Sequence, residues 1–206
     1  MSSEGIVYVI DDDSALRDSL SFLLASSGFT VQPFDSAEAF LAASPPMAGA
    51  CVLTDVRMQG LDGLGLLRQL REAGHGIPVV VMTGHGDVPL AVKAMKLGAV
   101  DFLEKPFDGE ALVKLVRSTF QANSAISNVS EADSVTAEIT SRLALLSHRE
   151  TQVLKGLVNG QTNKEIAREF GLSPRTVEVY RAKLMTKMQA GSISELVRFA
   201  IKAGLY

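Results

Sequence analysis

The chain has little of what secreted and membrane proteins depend on. Its 206 residues include one cysteine, Cys51, which excludes an intrachain disulfide framework and every zinc motif built from several cysteines, and suits a reducing compartment. No stretch reaches the roughly 18 apolar residues of a membrane helix. The only apolar run near the start, Gly5 to Ile10, is too short for the core of a secretion signal and ends in three aspartates. A soluble, cytoplasmic protein with no membrane partner is expected. Catalytic hallmarks are also missing: no Ser/His/Asp or metal-histidine spacing occurs, and Gly63-Leu64-Gly65 lacks the third glycine and the preceding strand of a dinucleotide motif. His75, His85 and His148 read as loop or helix-start residues.

What is present is a globular composition, 47% hydrophobic and 21% charged, with a hidden charge asymmetry. Residues 1–122 carry 9 Lys+Arg against 15 Asp+Glu, residues 123–140 carry none against 3, and residues 141–206 carry 11 against 5. An acidic front and a basic back imply two modules with different partners, the basic one suited to a polyanion. The boundaries follow: a first domain over 1–122, a Ser-, Ala- and acid-rich linker over 123–140, and a second domain over 141–206.

The first module alternates short buried-type runs (Ile6 to Ile10, Phe29 to Pro33, Cys51 to Thr54, Pro78 to Met82, Val100 to Leu103) with amphipathic stretches, several closing at a glycine: Gly28, Gly74, Gly98. Five such units predict a doubly wound, five-stranded parallel α/β sheet of flavodoxin-like form. In the second module Ser147 with Glu150, Thr162 with Glu165 and Ser192 with Glu195 fit capping boxes, and Ser173 before Pro174 fits a helix start. Four short helices are expected, with Ile139, Leu143 and Leu146 able to begin another. Phe170-Gly171-Leu172-Ser173 supplies the tight turn of a helix-turn-helix.

Asp11 and Asp12, Asp55, Thr83 and Lys105 all fall just past predicted strand ends, and a parallel sheet gathers such positions in one crevice. Adjacent carboxylates repel and call for a cation; oxygen donors without Cys or His favour Mg²⁺. A carboxylate beside Mg²⁺ can attack a phosphoryl donor and become an acyl phosphate, with Lys ammonium and Thr hydroxyl holding the transferred oxygens. Asp13 reads as a helix cap.

Four segments, Val7-Tyr8-Val9-Ile10-Asp11-Asp12-Asp13, Val52-Leu53-Thr54-Asp55-Val56-Arg57-Met58, Val80-Val81-Met82-Thr83-Gly84 and Phe102-Leu103-Glu104-Lys105-Pro106-Phe107, resemble the response-regulator receiver domain. Residues 147–190, with Leu146-Ser147-His148-Arg149-Glu150 and Thr176-Val177-Glu178-Val179-Tyr180-Arg181, resemble the LuxR-type helix-turn-helix. Together they are similar to response regulators of the FixJ/NarL family. The resemblance implies that Asp55 accepts phosphate from a sensor histidine kinase of the FixL kind, that Asp11, Asp12 and Asp55 bind Mg²⁺ with the Arg57 carbonyl, that Lys105 pairs with the phosphoryl group, and that Thr83 and Phe102 form a switch pair. It further implies a transcription regulator rather than an enzyme, an activator dimeric when phosphorylated, working with RNA polymerase on double-stranded DNA at nitrogen-fixation genes. Gln59 departs from the proline common in that loop.

On the third helix of the basic module, Val177, Leu184 and Met188 should face its own core with Tyr180. Arg175, Thr176, Glu178, Val179 and Ala182, flanked by Arg181, Lys183 and Lys187, are then the expected DNA face, with Thr162, Asn163 and Lys164 adding phosphate contacts. In the predicted fourth helix, Asp87 to Leu97, Leu90, Ala91, Ala94 and Leu97 suit the sheet, while Val88, Val92 and Met95 lie opposite and are the expected dimer face. Two other readings stay open. One is a haloacid-dehalogenase-type phosphatase with Asp11 as nucleophile, which needs a further acidic metal motif late in the domain, for which Asp108 with Glu110, at a helix start, is a poor substitute. The other is a scaffold whose basic domain contacts a protein.

Overall fold

The computed structural model describes residues 4–84, 88–124, 138–191 and 193–205. The chain divides into two compact units, Met1–Gly86 with Leu97–Ile126 and Asp87–Lys96 with Ser127–Tyr206. Most of the expected linker (125–137) and the expected cap Ser192 lie outside the described residues, as do His85, Gly86 and Asp87.

The first unit is a five-stranded parallel sheet in the order β2-β1-β3-β4-β5, its strands Ile6–Ile10, Thr30–Phe34, Ala50–Asp55, Val79–Thr83 and Asp101–Glu104 numbered β1 to β5. Helices α1 (Ser14–Ser26), α2 (Ala37–Ala43), α3 (Gly63–Glu72) and α5 (Gly109–Ser124) complete it. The central strands β3 and β4 are buried at every position, as their unbroken apolar runs require when helices cover both faces. Val7, Val9, Cys51, Leu53, Val80 and Met82 meet Leu20 and Leu24 of α1 and Leu112 and Val116 of α5 in one core. Leu64, Leu66, Leu67 and Leu70 of α3 are also buried, each fully buried leucine stabilising the fold by roughly 1.5 to 3 kcal/mol. Burial pushes the Cys51 thiol up to about 12, so it is inert.

Four strand starts differ by one residue from the sequence expectation: β3 begins one residue early, at Ala50, and the other three one residue late. The Phe29 N–H donates to the Leu24 carbonyl and closes α1 instead of opening β2; Pro78, lacking an N–H, offers only its carbonyl to Val52; the Val100 N–H reaches back to Val79. Asp13 caps α1 as expected, accepting from the N–H groups of Ala15 and Leu16. Helix α5 runs to Ser124, two residues into the expected linker.

In the second unit, a helical segment over 138–144 precedes α6 (His148–Val158), α7 (Asn163–Phe170), α8 (Pro174–Met188) and α9 (Ile193–Lys202). The capping boxes Ser147/Glu150 and Thr162/Glu165 are both closed, and Ser173 with Pro174 opens α8. Gly171 ends α7 in the left-handed conformation, φ 64°, which glycine adopts without a Cβ penalty. Val177, Leu184 and Met188 are buried with Ile139, Val153, Leu154, Ile166 and Leu196, and Tyr180 packs on them, as the α8 spacing requires. Helix α4 (Val88–Lys96) groups with this unit, running beside α9 and α6. Ala91 and Ala94 are fully buried, but so nearly are Val92 (2% exposed) and Met95 (8%). The face expected to be open for a dimer is therefore covered by the chain itself in this conformation; the Val88 side chain is outside the described residues.

Candidate functional site

The parallel register carries Asp55 to the end of β3 and Thr83 to the end of β4, opposite Glu104, so that Lys105 follows at the same edge. Asp11 leaves β1 on the other side of β3. The Lys105 Nζ lies 2.7 Å from Oδ1 of Asp55 and 2.9 Å from Oδ2 of Asp11, and the Lys105 N–H donates to the Thr83 carbonyl at 2.7 Å. The Lys105–Pro106 peptide is cis.

Each carboxylate has its second oxygen fixed by backbone. The Arg57 N–H donates to Asp55 Oδ2 at 2.9 Å and the Asp13 N–H to Asp11 Oδ1 at 2.9 Å. Arg17 donates to the Asp11 carbonyl at 2.7 Å and holds that loop. Asp11 is 1% exposed and Asp55 8%. Burial raises the Asp55 carboxyl above its ordinary value despite the opposing bond from Lys105. Burial would lower Lys105, but its bonds to Asp55 and Asp11 win and hold the ammonium charged. The lack of a side chain at Gly63 shapes the same spot: a Cβ there would overlap the Asp55 carbonyl.

Thr83 is buried and its hydroxyl donates to the Gly84 carbonyl at 3.0 Å. Phe102 sits opposite Val81 in the ladder. Thr83 is two residues past Val81, so Phe102 and Thr83 share a sheet face. Asp12 is exposed beside the pocket. Among the described residues no three acidic, Cys or His side chains converge as a metal cluster; Asp11 and Asp55 converge, bridged by Lys105. The donors available, carboxylates of Asp11, Asp12 and Asp55 and the Arg57 carbonyl, are all oxygen, the set a hard divalent ion such as Mg²⁺ takes. Asp108 accepts from the Glu110 N–H at 2.8 Å as α5 begins, a capping use rather than the ligand use that the phosphatase reading needs.

In the second unit, α8 leaves Arg175, Glu178, Ala182 and Lys183 exposed and Val179 50% exposed, the face the spacing assigned to DNA. Other expected contacts already have partners. Thr176 shares a 2.7 Å bond with Ser173, Oγ1 to Oγ. The Thr162 hydroxyl is engaged with Glu165, while Lys164 is exposed. Arg181 donates to Asn163 Oδ1 at 2.8 Å, tying α8 to the start of α7. Lys183 lies over the Tyr180 ring at 5.7 Å. Lys187 is exposed but also has partners: its ammonium is 2.7 Å from Oε2 of Glu150 and 3.2 Å from the Leu145 carbonyl. Sequence spacing assigned Lys187 to the flank of the DNA face; the bond to a carboxylate 37 residues earlier is an additional contact that spacing does not announce.

A receiver-type sheet and a helix-turn-helix unit in one chain define a DNA-binding response regulator. The sequence model of the family described as "Response regulator receiver domain" matches residues 7–117, and that of "Bacterial regulatory proteins, luxR family" matches residues 144–200; the chain belongs to the response regulators with a LuxR-type domain. It is 55% identical over its whole length, and 98% of the relative's, to the transcriptional regulatory protein FixJ of Bradyrhizobium diazoefficiens. Identity is 46% to FixJ of Rhizobium meliloti over 96% of both chains, and 43% to the response regulator TodT of Pseudomonas putida over 94% of this chain and 84% of that one. Among solved structures, full-length FixJ from B. japonicum aligns with 54% identity, 99% of both chains and a TM-score of 0.57. The protein is a FixJ-like two-component response regulator. A receiver domain implies a sensor-kinase partner, and the luxR-type domain implies DNA binding. Among the described residues no helix is long and apolar enough to cross a membrane.

Proposed function

We propose that Asp55 is the phosphoacceptor of a cytoplasmic, phosphorylation-switched transcription activator of nitrogen-fixation genes. The observation that carries this reading is the pairing of Asp55 Oδ1 with Lys105 at 2.7 Å while the Arg57 N–H holds Oδ2: a nucleophilic carboxylate fixed in aim beside the cation that the product needs. An Asp55 oxygen attacks the phosphorus of a phosphohistidine on the kinase, the P–N bond breaks, and the imidazole leaves with the electron pair. Lys105 then moves its charge to the phosphoryl oxygens and the Thr83 hydroxyl turns to donate to one of them. Mg²⁺, when held by Asp11, Asp12, Asp55 and the Arg57 carbonyl, supplies the remaining charge neutralisation.

The Thr83 rotation vacates space on the face it shares with Phe102, so the aromatic ring moves in and the signal passes toward α4. Dimerisation through Val88, Val92 and Met95 then requires that α4 uncover Val92 and Met95 first. A dimer sets two copies of the α8 face on neighbouring half-sites for work with RNA polymerase. Incubation with acetyl phosphate and Mg²⁺, followed by sedimentation and a DNA-shift assay, tests the reading. Val92→Asp should take label yet stay monomeric; an equally labelled Val92→Asp that dimerises at wild-type concentration removes α4 as the interface.

A further inference from the structure

We infer that Glu38 is a positioning residue for phosphoryl acceptance, acting through the backbone of the loop that carries Arg57. The inference rests on Asp55 being the acceptor. That loop leaves β3 at Asp55 and enters α3 at Gly63. Its ends are tied by the Val56 N–H to the Met82 carbonyl at 2.9 Å and the Gly63 N–H to the Val56 carbonyl at 3.1 Å. Its outer stretch is tied to a different element: the Leu61 N–H donates to Oε1 of Glu38 at 2.7 Å, across 23 residues of sequence.

Glu38 sits in the first turn of α2, where a negative charge has an ordinary use against the helix dipole. That use needs charge but no aim. Here the carboxylate is aimed at another segment, and the neighbouring residue makes room for it. Gly60 holds φ at +75°, and a Cβ built there would overlap Glu38 Oε1. Gln59 leaves the loop backbone free at a position where a proline would fix φ, so an external tether removes conformational freedom that the loop's own sequence retains. Held in place, the loop keeps the Arg57 N–H on Asp55 Oδ2. That bond leaves Oδ1 to Lys105, and the same loop carries the Arg57 carbonyl that the Mg²⁺ reading takes as a ligand. Groups of this kind, one bond removed from the ligands, commonly affect metal affinity by about 10- to 100-fold; the exposure of this bond points to the lower end.

The test uses the full chain as wild type, Glu38→Ala, Glu38→Gln and Gly60→Ala. Mg²⁺ is titrated by calorimetry, labelling by acetyl phosphate is timed, and hydrogen exchange is read at the Leu61 amide. Glu38→Ala should weaken Mg²⁺ by about tenfold, slow labelling and expose the Leu61 amide to exchange. Glu38→Gln keeps an oxygen acceptor without the charge and should stay within about twofold of wild type. Gly60→Ala, which displaces Glu38, should follow Glu38→Ala. Wild-type Mg²⁺ affinity in Glu38→Ala overturns the inference, as does a Glu38→Gln as impaired as Glu38→Ala, since that assigns the effect to helix-end charge. A wild-type chain that takes no label sinks the acceptor reading and this inference with it; a labelled wild type with an indifferent Glu38→Ala sinks the inference alone.

Discussion

Asp55 and Glu150 are two buried carboxylates, 8% and 3% exposed, each 2.7 Å from a lysine ammonium, and their proton affinities move in opposite directions. Burial raises Asp55, whereas the bond from Lys187, helped by the Ser147 N–H, lowers Glu150 to about 2. Desolvation comes first: it outweighs the bonds at Asp55 and is outweighed by them at Glu150; the partners add to the difference. Lys105 is shared between Asp55 and Asp11, so two negative charges divide one positive one. Glu150 has Lys187 to itself and closes a capping box at 2.7 Å besides. A buried charge whose bonds are complete is structural; one whose compensation is shared is poised for chemistry.

The sharpest way to break this comparison is to neutralise each carboxylate. Asp55→Asn should abolish acetyl phosphate labelling without lowering the melting temperature near neutral pH. Ionisation of a carboxyl whose folded value is raised works against folding, so losing it costs no stability. Glu150→Gln should leave labelling untouched and destabilise the helical unit. Equal melting losses in both variants would refute the distinction.

A step smaller is the partner lysine. Lys187→Met leaves a buried carboxylate on one backbone N–H and should cost about 2 to 3 kcal/mol by denaturant titration, toward the low end because Lys187 is partly exposed. If it instead melts like wild type and flattens the salt dependence of DNA binding, Lys187 is the phosphate contact that its place on the helix flank suggested.

The pH dependence separates the two sites further. Glu150 has a folded value of about 2 against an ordinary 4.5, so its contribution is present above about pH 4.5 and disappears as pH falls through about 2. Acid melts of the helical unit should show this loss, and Glu150→Gln should flatten it. The smallest effects belong to the exposed α8 face. Arg175→Ala, as a base contact, should cost about 1 to 3 kcal/mol on specific DNA and relax one position. Lys183→Ala should weaken all sequences alike and lower the salt slope by about one unit; a sequence-selective loss in Lys183→Ala would exchange the two roles.

The sheet and the helix starts were legible because they are written locally. Runs of Val and Ile, a serine three residues before a glutamate, and Gly171 at a helix end each carry their own physics. The edge position of Asp55, Thr83 and Lys105 followed from strand direction alone. The sequence was silent where the outcome depends on a distant partner. Periodicity showed that Val92 and Met95 form an apolar face but not that the chain covers it. Asn163 and Arg181 read as two separate phosphate contacts, yet they bond to each other across 18 residues. Nothing near Glu38 announces Leu61, and Asp12 next to Asp11 gave no hint that one is exposed and the other buried.

Gly63 carries a consequence for how this protein can vary. Any single-nucleotide change of a glycine codon that alters the residue installs a Cβ, and at position 63 that atom meets the Asp55 carbonyl. The position therefore has no neighbouring neutral step in sequence space. In a saturation library selected for acetyl phosphate acceptance, position 63 should lose alanine as severely as it loses valine, a pattern that size or hydrophobicity alone would not produce, and one that ties the freedom of the Asp55 loop to evolve to a residue with no side chain of its own.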